Sequence, residues 1–95
     1  MNLSEFKKSL KDVAPPEDAN EILKALWYDA QGDWESAHEI VQSIQSPLGA
    51  KVHAYLHRKE GDRVNASYWY KNAKSEVYKG TLEEEWNKLI NDLTQ

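Results

Sequence analysis

A chain of 95 residues, 40% hydrophobic and 29% charged, is one domain's worth of sequence: too short for two independent cores and too apolar to stay disordered. Its formal net charge of -4 and pI near 5.3 argue against the concentrated basic surface of a nucleic-acid-binding protein, so nucleic acid is not expected as a partner. The absence of cysteine removes disulfides, thiolate metal sites and a cysteine nucleophile, and accords with a reducing compartment. The run MNLSEFKKSLKDVAPPED has no apolar h-region, and no segment reaches the ~20 apolar residues of a membrane span, so a soluble cytoplasmic protein without a membrane partner is expected.

Phe6, Leu10 and Val13 stand at helical spacing and predict a first helix over 4–13, stopped by the APP that follows. Pro16 suits a first helical position, with Glu17 and Asp18 at the positive end of the dipole. Ile22, Leu23, Leu26 and Ala30 then mark the apolar face of a second helix that Gly32 ends. Asp33 caps a third helix bearing Trp34, Ala37, Val41 and Ile44, which Pro47 and Gly49 are expected to close. A fourth, over 50–60, carries Val52, Tyr55 and Leu56 and stops at Gly61. Asp62 caps a fifth with Ala66, Trp69, Tyr70 and Ala73. Thr81 and Glu84 have the spacing of a capping box, and Leu82, Trp86, Leu89, Ile90 and Leu93 form the stripe of the last helix. No stretch alternates with the period of a strand, so the fold class is all-α with about six helices in a compact bundle.

The order repeats internally. Aligning LWYDAQGDWESAHEIVQSI with YLHRKEGDRVNASYWYKNA superposes Gly32-Asp33 on Gly61-Asp62 and Ala37 on Ala66, with Val41 and Tyr70 four residues further on. Gly gives the left-handed turn, Asp caps the next helix and Ala lets the pair approach closely. This Gly-Asp-x-x-x-Ala pattern resembles tetratricopeptide repeats, which implies antiparallel helix-turn-helix units in a right-handed arrangement, although the offset of 29 residues is shorter than the ~34 of that family. Residues 1–95 are accordingly read as a single domain. An N-terminal capping helix lies within 1–15, repeat units span 17–46 and 48–74, and a C-terminal capping helix spans 81–95, with Leu10 and Trp86 on the caps.

The central run also resembles a group of bacterial, fungal and plant proteins that share H-x-I-x-Q followed by H-x-x-x-H-R-x-E-x-D-x-x-N-A-x-Y-W-[YF]-[RK]. His38, Gln42, His53, His57, Arg58, Glu60, Asp62, Asn65, Tyr68, Trp69 and Lys71 match it, and the resemblance implies no particular activity. The chain lacks a Gly-rich phosphate loop, a G-x-S-x-G elbow and H-E-x-x-H. No catalytic residue and no cofactor are assigned, and Ser43 and Ser67 read as surface serines. Glu83, Glu84 and Glu85 sit in a first helical turn and read as a solvated capping face.

His53, His57 and Glu60 stand at i, i+4 and i+7 with His38 on the preceding helix. That spacing allows a metal, but the expected role is a buried hydrogen-bond network completed by Asp62, Asn65 or Tyr68, with no metal. Binding, if it occurs here, falls to His38, His53, His57, Arg58, Glu60, Asn65, Tyr68, Trp69 and Lys71. Trp34 is assigned to the core. An adaptor that engages a protein or peptide, or its own copy, is the expected function, and a small-ligand or metal site at the histidines is the alternative.

Overall fold

The computed structural model describes residues 1–94. It holds six helices and, among the described residues, no strand: α1 (Leu3–Ser9), α2 (Glu21–Ala30), α3 (Trp34–Gln42), α4 (Pro47–Lys59), α5 (Arg63–Asn72) and α6 (Leu82–Leu93). None is long and apolar enough to cross a membrane. The all-α expectation holds, and the differences lie at helix ends. α1 stops at Ser9, so Val13 lies outside it and is fully exposed. Pro16 to Asp18 precede α2, whose N-cap is Asn20, its side chain accepting from Leu23 N–H; Ala30 faces solvent at the far end. Pro47 opens α4 instead of closing α3. Ser46 caps Gly49 N–H, which places the proline in the first turn, where its missing N–H costs nothing.

The two Gly-Asp turns have the same conformation. Gly32 (φ 84°) and Gly61 (φ 88°) are left-handed. Asp33 N–H donates to the Tyr28 carbonyl and Asp62 N–H to the His57 carbonyl, both at 2.9 Å, while Gly32 N–H donates to the Asp29 carbonyl and Gly61 N–H to the Arg58 carbonyl. These are Schellman turns, and each Asp side chain then caps the next helix through Ser36 or Asn65 N–H. A third turn of this kind ends α5 with Lys74 (φ 57°) in the glycine position.

Consecutive helices α2 to α5 pack pairwise, and α6 folds back onto α1, α2 and α4. The main core joins Phe6, Leu23, Leu26, Trp27, Val41, Val52, Tyr55, Leu56, Trp86, Leu89 and Ile90, whereas Ala54, Ala66 and Tyr70 seal α4 to α5. Trp86, on the apolar stripe of the C-terminal capping helix, is buried as that stripe implies, and its indole N–H donates to the Leu26 carbonyl.

α4 is central because it is buried on several sides. Val52, Tyr55 and Leu56 belong to the main core, Ala54 meets α5, and His53 meets α3. Two buried carboxylates lock α4 to its neighbours. Asp29 of α2 accepts from Tyr55 Oη (2.8 Å) and Lys59 Nζ (2.7 Å). Glu85 of α6 accepts from Arg58 Nη1 (2.7 Å) and Tyr70 Oη, and Arg58 Nη2 also donates to the Gly80 carbonyl. Glu85 is therefore no solvated capping residue. It is 3% exposed and tied to charge from another helix, which satisfies a group too costly to bury alone. Desolvation, and the same carboxylates, push the Tyr55 and Tyr70 phenols well above their ordinary range, so both stay protonated donors.

Candidate three-histidine site

His53 and His57 lie one turn apart on α4 and both are buried; His38 on α3 is half-buried. Antiparallel packing of α3 against α4 brings the three imidazoles together, with ring centroids 4.7 Å (His38 to His53), 5.1 Å (His38 to His57) and 4.9 Å (His53 to His57) apart. One ring nitrogen from each lies within 4.8 Å of the others. His38 Nε2 and His53 Nε2 are 3.0 Å apart.

Two indoles flank the cluster. Trp69 of α5 stacks on His53 at 3.9 Å with the planes 13° apart, and Trp34 stacks on His38 at 4.8 Å and 9°. Trp34 is packed against the main core, as expected, and pinned by its indole N–H on the Leu56 carbonyl (2.7 Å), and it also forms a wall of the cluster. The signal for it was the i, i+4 spacing of Trp34 and His38, which puts both on one face.

Glu60 sits on the outer side of His57, with Oε2 2.6 Å from Nδ1. That contact fixes the ring, with Nδ1 donating to the carboxylate. Burial, reinforced by the neighbouring His57, lowers the pKa of His38. Burial and the other two imidazoles lower that of His53 to about 4. Both rings are neutral at pH 7, so in their Nε2–Nε2 contact one ring donates and the other accepts.

The remaining sequence-derived residues divide. Tyr68 stands edge-on to Trp69 and is exposed. Asn65 bonds the Asp62 carboxylate in the α5 cap and does not reach a histidine. Arg58 points to α6, and Lys71 is on the solvent side of α5. Neither Asp62, Asn65 nor Tyr68 completes the histidine hydrogen bonds; His38 and Glu60 do so. Comparison with family models, curated proteins and solved structures finds no match to the chain.

Proposed function

We propose that the protein is a small metal-binding domain in which His38, His53 and His57 hold one divalent transition-metal ion, with zinc the leading candidate. The observation that carries this reading is the convergence of one ring nitrogen from each of the three imidazoles within 4.8 Å, with the Glu60 carboxylate against Nδ1 of His57. Zinc–imidazole bonds of about 2.0–2.1 Å at tetrahedral angles separate two ligand nitrogens by roughly 3.3 Å. His38 and His53, at 3.0 Å, need to part only slightly to reach that geometry. A carboxylate on the outer nitrogen of a ligand histidine orients the ring and raises its basicity, a recurrent companion of imidazole ligands. The lowered pKa values of His38 and His53 remove proton competition at neutral pH. A hydrogen-bonded histidine pair alone accounts for the 3.0 Å contact but gives no role to His57, whose ring lies about as close to both partners.

The test is metal analysis of untagged protein, followed by titration of chelator-treated protein with zinc. One equivalent bound, a higher melting midpoint on binding, and loss of both in His38→Ala support the reading; zinc binding that is unchanged in His38→Ala refutes it.

A second reading, an adaptor for a protein or peptide or for a second copy, draws support from one observation. Val64 and Tyr68 are exposed one turn apart on α5, a helix that packs closely on α4 alone. The repeated Gly-Asp turns support it through fold analogy only. Alanine at both positions is expected to abolish partner capture without altering metal content.

A further inference from the structure

We propose that this centre has a fourth, exchangeable coordination position on its His38 side, which takes water or a small monodentate anion. The inference rests on the metal-binding reading above and goes beyond it in assigning the class of ligand.

Three donors converge, and among the described residues no fourth His, Asp or Glu joins them. The nearest carboxylates are committed elsewhere. Glu60 accepts at His57 Nδ1, and both Asp62 oxygens are engaged by Asn65 in the cap of α5. The flanking groups Trp34 and Trp69 are indoles, whose nitrogen is a donor only and cannot ligate a cation. Structural zinc sites close with four protein ligands, whereas three protein ligands leave a position for solvent or substrate.

Access is asymmetric. His53 lies under Trp69 and is 4% exposed, His57 is 8% exposed, and His38 is the half-buried member, so the open direction is past His38. Charge selects the occupant. Three neutral imidazoles leave a divalent ion uncompensated except by Glu60, one ring away, so an anion in the open position is favoured over a second neutral donor. Two apolar indole walls restrict that anion to a small one and lower the local dielectric, which strengthens its attraction to the ion.

Cobalt(II) is the probe, because its visible absorption reports coordination number and ligand exchange. Chelator-treated protein is loaded with one equivalent of cobalt(II) and titrated with azide, then with thiocyanate, while circular dichroism monitors the fold. The expected result is a set of visible bands that shift saturably with either anion. His38→Ala, with its helical content checked by the same circular dichroism, lowers cobalt affinity at least about tenfold. Bands that form with one equivalent but ignore both anions mean a closed coordination sphere, completed by a second copy or another donor. The exchangeable position is then refuted while the metal-binding reading stands. Failure to bind cobalt or zinc at all refutes both.

Discussion

Acidification of the metal-free protein destabilises it through His53. In the folded state the imidazole has a pKa of about 4, because it is buried and faces two other histidines, His38 from α3 and His57 from its own helix, while the indole of Trp69 covers it from α5. In the unfolded chain it returns to the ordinary imidazole value of 6.5. Above that value both states are neutral and the group contributes no pH dependence. As pH falls through it, the unfolded state takes the proton first, so stability drops with a growing slope until the folded pKa is passed. The gap of roughly 2.5 units corresponds to about 3 kcal/mol, most of it lost between about pH 6.5 and about pH 4. His38, also lowered, acts in the same direction, and the Glu60 carboxylate partly offsets it. Urea unfolding in the presence of chelator, followed at several values from about pH 7.5 to about pH 4.5, measures the loss. Background carboxylates titrate too, so the comparison is with His53→Phe, which keeps a ring against Trp69 and removes the titrating group. The wild-type stability should fall more steeply than that of the variant over this window. Parallel curves would falsify the assignment of a buried, neutral His53.

The other tests concern backbone and buried charge. Gly61→Val should lower stability by about 1–2 kcal/mol in denaturant unfolding; an added Cβ meets nothing within 4 Å, so the cost is the left-handed φ alone. Lys74→Gly should have the opposite sign, raising stability by about 0.5–1 kcal/mol, because a non-glycine residue occupies the equivalent turn position after α5. Arg58→Met leaves the Glu85 carboxylate with Tyr70 as its one donor and should cost about 3–5 kcal/mol, whereas Tyr70→Phe, which keeps the ion pair, should cost about 1–2 kcal/mol. A smaller loss for Arg58→Met than for Tyr70→Phe would contradict the buried-pair account.

What could be read in the sequence was what local chemistry decides. The caps at Asp33, Asp62 and Thr81 each rest on contacts within three residues, and all three form as their spacing implies. Proline was ambiguous for a physical reason: the same ring that ends one helix opens the next. At Pro47 the deciding residue is the Ser46 cap, and at Pro16 it is the Asn20 cap further on. The histidine pair on α4 follows from the i, i+4 spacing, but the approach of His38 depends on how α3 crosses α4, which no local pattern encodes. Glu85 misled because a glutamate in a first turn normally faces solvent. Its partners, Arg58 and Tyr70, are 27 and 15 residues away, and α6 must fold back across the bundle before they meet.

The course of the chain separates the order in which its parts are completed. All three histidines, both flanking indoles and Glu60 lie within 34–69, a continuous stretch whose helices pack on their sequence neighbours. Closure of the main core instead joins the two ends of the chain, through Phe6 against Trp86 and the Trp86 indole on Leu26. During synthesis α3 and α4 leave the ribosome ahead of α6, which follows them in the chain. A metal ion that bound at that point would act as an early staple, holding α3 to α4 before α6 arrives and lowering the entropy that the final, long-range step has to overcome.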